Sequence, residues 1–352
     1  MQDSKNMGIE LEIKRKYRDF SLDISIKTDS KRIGILGASG CGKTLTLKAI
    51  AGLIKPDSGI VIVDEQVLFD SEKKIDVKAK NRNVGYLFQN YALFPHMTVE
   101  QNIKAALHGK NAPKKNVDEI LQTFQIADIC THYPSEISGG QQQRTALARV
   151  FACDPDILLL DEPFSAMDTY MREGLRLELI RFLEKYDKTV ILVSHDRDEI
   201  YQMCDYLVLV DEGKVLTQGI SDEIFAHPQT PKIAKLTGCK NISRIEKIDE
   251  HRLCAVDWDD LILTTSEIIG DDITYAGIRA HDFLPGRCGE NDIPTGNSKI
   301  SRLPFEWYVT LENGLWWKIP KSLSDDTDQF DVPACISVKP EKILLMKSEE
   351  KD

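Results

Sequence analysis

The segment GASGCGKT at residues 37–44 constrains this chain more than any other stretch. It follows the apolar run RIGIL and precedes a segment carrying Leu45, Leu47, Ile50 and Leu53 at helical spacing, so it reads as strand, glycine loop and helix start. Gly37, Gly40 and Gly42 let backbone N–H groups crowd around a phosphate, and the helix N-terminus adds its dipole. Lys43 would reach the β- and γ-phosphates, and the Thr44 hydroxyl would bind Mg²⁺. Ser39, Cys41 and Leu45 complete the candidate nucleotide-binding run. A thiol at a helix N-terminus is also expected to have a lowered pKa, which would make Cys41 reactive.

Such a loop needs a sheet behind it. Up to about residue 236, short apolar runs alternate with helical patterns, as in a mostly parallel sheet covered by helices. The clearest strands are residues 32–36, 84–88, 157–160, 189–193 and 206–210, several of them apolar throughout. Residues 90–150, with VEQNIKAAL and NVDEILQTF, read as a helical subdomain inserted into this sheet domain.

After residue 236 the texture changes to short β-like runs (LILTT, ITYAGIRA, WYVTLENG, LWWKIP, ACISVKP), which predicts a small all-β domain over residues 237–352. Within it AGIRAHDFL and CISVKPEKILL resemble each other, as two β units folded together would. LWWKIP is expected to bury one of Trp316 and Trp317 and expose the other, and His96 is expected in a loop.

Net charge is −11, with 14 Lys+Arg against 22 Asp+Glu from Lys240 onward, and no basic tract, which argues against a nucleic-acid partner. The eight cysteines form no C-x-x-C pair, as expected of a reducing compartment. Neither a signal core nor a membrane-length apolar run is present, so a chain that docks on a membrane protein rather than crossing the bilayer is expected.

Further candidate residues fall at strand ends. ILLLDEP closes a buried run with Asp161, which would hold the Mg²⁺ shell, and Glu162, which could orient or deprotonate a water. Gln89 follows GYLF, Asp168 lies in SAMD, and His195 follows VILVS, where it could touch a γ-phosphate. ISGGQQQR at residues 137–144 presents a second set of bare N–H groups before a helix, on Ser138, Gly139, Gly140 and Gln141.

The ordered series GASGCGKT, Gln89, ISGGQQQR, ILLLDEP, SAMD, SHD resembles the ATP-binding cassette ATPases over roughly residues 8–236. The resemblance assigns these, in turn, as Walker A, Q-loop, signature, Walker B, D-loop and switch histidine. It implies an α/β P-loop NTPase cassette with an inserted helical subdomain, ATP and Mg²⁺ as cofactors, and Gln89 as a further metal-site residue. It also implies a homodimer in which Ser138 to Gln141 of one subunit reach the nucleotide held by the other. Tyr17 fits the adenine-stacking place, with Phe20 as the competitor.

NVGYLFQNYALFPHMTVEQNI, PFSAMD and the β extension resemble importer ATPases, whose extension is an OB/TOBE-like regulatory domain. That likeness implies permease subunits, an extracytoplasmic solute-binding protein and a peripheral place on the cytoplasmic face of the membrane. VLFDSEKKIDVKAKNRNVGYLFQ and LTGCKNISR look most like the molybdate/tungstate/sulfate group, with iron, polyamine or sugar importers as alternatives. A soluble cassette acting on nucleic acid is the remote alternative. His281 and Ser337 depart from the extension's usual Glu and Gly, which puts ligand regulation there in doubt.

Overall fold

A strand that is apolar at every position requires cover on both faces, and the strands of that kind lie side by side in one sheet. A computed structural model describes residues 8–107, 116–165, 169–286, 289–321 and 330–349, with the backbone alone at 169–171. The first sheet comprises β1 (Ile9–Lys16), β2 (Ser21–Thr28), β3 (Arg32–Leu36), β4 (Ser58–Val63), β5 (Gln66–Asp70), β6 (Ile75–Asp76), β7 (Val84–Leu87), β8 (Ile157–Asp161), β9 (Thr189–Ser194), β10 (Tyr206–Asp211) and β11 (Lys214–Ile220). Their spatial order is β6-β5-β4-β1-β2-β11-β10-β3-β9-β8-β7. From β10 to β7 all pairings are parallel, and β8 and β9 are buried along their whole length. β1 and β2, antiparallel partners, instead alternate core-facing and exposed residues, as a sheet covered on one face does.

The parallel register fixes the site. Leu36 lies opposite Ser194, Val193 opposite Asp161, and Leu160 opposite Leu87, so the carboxyl ends of β3, β9, β8 and β7 finish almost level.

Helices follow these ends. They are α1 (Lys43–Ile50), α2 (Val99–Ala106), α3 (Val117–Thr123), α4 (Gly139–Ala152), α5 (Thr169–Glu184), α6 (Arg197–Met203), α7 (Ser221–Ala226) and α8 (Pro231–Leu236). α2, α3 and α4 share a small core of Val99, Ile103, Ile120, Leu121, Ile126 and Ala148. Buried Asn102 secures the approach to α2 by accepting from the Phe94 N–H at 2.8 Å and donating to Met97 O at 3.0 Å.

The chain divides into compact units between Asp222 and Glu223, earlier than the texture change suggested. The reason is that Ala234 of α8 packs with Cys239 and Met346, on the β side of the break. The second unit holds β12 (Asn241–Lys247), β13 (Arg252–Ala255), β14 (Leu261–Thr264), β15 (Ile273–Ile278), β16 (Phe283–Pro285), β17 (Asp292–Pro294), β18 (Lys299–Arg302), β19 (Glu306–Thr310), β20 (Trp316–Pro320), β21 (Cys335–Val338) and β22 (Ile343–Lys347). The two look-alike segments pair with each other: β15 runs antiparallel to β22, and β16 antiparallel to β21. Trp317 is fully buried with Trp307 and Phe283 in this unit's core, while Trp316 stays 41% exposed.

One buried charge ties the first unit together. The Arg82 side chain is 1% exposed and donates to Ala49 O and Ile50 O at 2.8 Å and Val77 O at 2.7 Å. It thereby braces the C-terminus of α1, adding a donor to Ala49 O, which also accepts from the Gly52 N–H at 3.1 Å, and supplying one to Ile50 O. Arg82→Met fills similar space but removes the donors to Ile50 O and Val77 O; it is expected to destabilise the unit by roughly 2–4 kcal/mol, read from its urea unfolding transition.

Candidate active site

Between β3 and α1 the chain turns through Gly42, whose φ of 108° is open to glycine but strained for other residues. Gly37 meets a second limit, since a Cβ there would stand 2.1 Å from Val210 O. α1 starts at a glycine with no side-chain cap, an opening that suits an anion. The Lys43 ammonium folds back over the loop, donating to Gly37 O at 2.7 Å and Ala38 O at 2.8 Å. A phosphate would replace these neutral acceptors with charged ones, a stronger pairing.

Asp161 ends β8 at 3% exposure with a donor on each oxygen. The Thr44 hydroxyl donates to Oδ1 at 2.8 Å and the Tyr86 hydroxyl to Oδ2 at 2.8 Å. A hydroxyl and a carboxylate so close are hard oxygen ligands of the kind Mg²⁺ takes, so the residues fit that ion. Tyr86 had no motif to mark it, because a tyrosine in an apolar strand reads as core. Burial, and after it the Asp161 charge, push its pKa up, so it remains a donor.

Glu162 takes a left-handed backbone, φ 45°, fixed by its N–H donating to Val193 O at 2.9 Å. Its carboxylate lies 3.4 Å from Gln89 Nε2 and 3.4 Å from His195 Nδ1. Gln89 is thus brought beside Glu162. Ser194 helps set the loop under His195: its hydroxyl donates to buried Glu199 at 2.5 Å and accepts from the Asp196 N–H at 2.9 Å.

Ser138 caps α4 by accepting from the Gln141 N–H at 3.3 Å, and the Gln141 side chain accepts from the Ser138 N–H at 2.9 Å. Ser138 and Gly139 are exposed, Gly140 is buried, and a Cβ on Gly139 would meet nothing within 4 Å. From the same helix Arg149 donates to Tyr91 O at 2.9 Å and Ala92 O at 2.8 Å. Those two residues carry left-handed backbones, φ 60° and 43°, a strained pair that the guanidinium holds just beyond Gln89.

Tyr17 and Phe20 close the β1–β2 hairpin, the Tyr17 N–H donating to Phe20 O at 2.7 Å. The Phe20 ring packs against the loop, 3.2 Å from where a Cβ on Gly42 would stand, while Tyr17 lies beneath the Arg15 guanidinium. Asp168 lies outside the described residues. Cys41 corrects an expectation: its pKa is raised, because burial at 5% exposure outweighs the nearby Lys43. Helix position is visible in sequence, but the enclosure of the thiol against Gly37 is not.

A family profile described as ABC transporter matches residues 18–165. The sulfate/thiosulfate import ATP-binding protein CysA of Synechocystis sp. is 38% identical over 237 residues, 65% of each chain. CysA of Thermosynechococcus vestitus is 37% identical over 75% of this chain and 79% of its own. The Fe(3+) ions import ATP-binding protein FbpC of Haemophilus influenzae is 33% identical over 78% and 79%. Among solved structures, a dimeric post-hydrolysis state of the ATP-binding cassette MJ0796 bound to ADP and Pi aligns with a TM-score of 0.51 at 26% identity, over 60% of this chain and 98% of that one. With the motif order, the level strand ends and relatives aligned over most of their length, this chain belongs to the ABC transporter ATPases.

Proposed function

We propose that this chain is the energy-coupling ATPase of an importer for a sulfate-like tetrahedral oxyanion, a class that includes molybdate and tungstate. It works as a homodimer on the cytoplasmic face of membrane permease subunits, which an extracytoplasmic solute-binding protein supplies. The names of the relatives support the solute, and the convergence of Lys43, Thr44, Asp161, Glu162 and His195 on one sheet edge supports the chemistry. An iron importer is the second reading, favoured by the relative named for Fe(3+).

In this reading the loop from Gly37 to Leu45 wraps the phosphates, with Lys43 on the β- and γ-groups, and Tyr17 stacks on adenine. Thr44 and Asp161, with Gln89 nearby, would hold Mg²⁺, which when bound neutralises phosphate charge. Glu162 takes the proton of the attacking water, and His195 steadies the γ-phosphate and Glu162 together. Ser138 to Gln141 bind the nucleotide of the partner subunit. Glu162 has the geometry of a base. It is half-buried, and its two neighbours at 3.4 Å leave room for the contacts to tighten on a substrate.

Glu162→Gln keeps the shape but cannot accept the proton. Hydrolysis should fall about 100-fold or more while ATP still binds, as measured by phosphate release and filter binding; hydrolysis at the wild-type rate would contradict the assignment. For the solute, the co-purified solute-binding protein should bind sulfate, thiosulfate or molybdate in calorimetry, whereas heat with iron alone would select the second reading.

Cys41 supplies a pH test. A raised pKa leaves the thiol protonated at neutral pH, so iodoacetamide labelling of Cys41, mapped by mass spectrometry, should be slow. It should climb about tenfold per pH unit through the alkaline range without levelling below the ordinary thiol pKa. Fast labelling at pH 7 would mean that the thiol is exposed and activated.

A further inference from the structure

We propose that Tyr86 is a positioning residue for the metal-binding carboxylate: its hydroxyl fixes Oδ2 of Asp161 so that Oδ1 stays beside the Thr44 hydroxyl. The inference rests on the reading of Asp161 as the Mg²⁺ carboxylate.

Asp161 lies at the end of a strand buried throughout, where an ionised carboxylate is tolerated only with donors on its oxygens. Thr44 supplies one and Tyr86 the other, each at 2.8 Å. The Thr44 hydroxyl is also the group expected to turn toward the metal, so Tyr86 is the donor that keeps the carboxylate in place through that change. Its own position is set by backbone pairing, Tyr86 lying opposite Leu159 in β8, and by Phe88, whose ring centroid is 4.3 Å away. A phenylalanine would satisfy that packing equally well, and among the described residues the hydroxyl's partner is Asp161.

The same chain segment also reaches the second acid, through Gln89 to Glu162 at 3.4 Å. The two links differ in kind. Tyr86 sits inside the paired strand, with a short bond to a buried oxygen, whereas Gln89 lies beyond the strand end, exposed, with a long one. One segment thus holds the metal carboxylate by a short bond and touches the base by a long one.

The test uses the intact protein with Tyr86→Phe and, as a second hydroxyl-free side chain, Tyr86→Met. Binding of the fluorescent, non-hydrolysable analogue MANT-AMP-PNP is measured in EDTA and across a Mg²⁺ titration, and Mn²⁺ binding is followed in parallel by EPR. In both variants affinity in EDTA should match wild type, while half-saturating Mg²⁺ rises about tenfold, the scale of one lost hydrogen bond to a buried charge. Unchanged Mg²⁺ dependence, or equal weakening with and without Mg²⁺, would overturn the inference. Asp161→Asn separates the two readings. If it abolishes the Mg²⁺ response while Tyr86→Phe is silent, only the Tyr86 inference fails; a wild-type response in Asp161→Asn would remove the metal reading itself.

Discussion

The parallel pairing of β3, β9, β8 and β7 in level register is the constraint from which the site follows. Each strand delivers residues at or just past its end to the same edge: the glycine loop from β3, His195 from β9, Asp161 and Glu162 from β8, and Gln89 from β7. A slip of one residue in β8 would turn the Asp161 side chain to the opposite face. Register is fixed at the strand end rather than by the apolar run, since a slip would take buried Asp161 away from its Thr44 and Tyr86 donors and leave the carboxylate unpaired.

Within that edge, the groups differ in how firmly they are held. Asp161 and the Lys43 ammonium have close partners, each at 2.8 Å or less, whereas Glu162, Gln89 and His195 meet at 3.4 Å. The proposed binding groups are thus held closely and the proposed base is not, which suits an enzyme whose reaction waits on a second event. Arg149 joins the helix capped by Ser138 to the strained backbone just after Gln89.

How much of this was legible in sequence follows from what each feature depends on. GASGCGKT, the buried strands and the helical insert depend on local spacing and apolar pattern, and β3 matches its expected range while β7, β8, β9 and β10 differ from theirs only at one end. The cross-pairing of β15 with β22 and β16 with β21 was foreshadowed by two similar segments, because repeated sequence implies repeated structure. What depends on distant contacts could not be read. Tyr86 and Arg82 look like an ordinary strand residue and an ordinary loop charge until Asp161 and the end of α1 arrive beside them. Cys41 was misread for the same reason, since its burial is a tertiary fact. The unit boundary moved because α8, helical in pattern like the residues before it, finds its apolar partners after the break.

We propose that Ser138 acts on the nucleotide of a second copy of this chain. Retention of radiolabelled ATP through gel filtration tests it in a Glu162→Gln background. Two inactive proteins are compared, one also carrying Lys43→Ala and the other Ser138→Arg. Neither should retain ATP alone, and mixing them should restore retention, because one complete site then forms from the intact loop of one subunit and the intact Ser138 of the other. Full retention by the Ser138→Arg protein alone, or no recovery on mixing, would contradict a shared site.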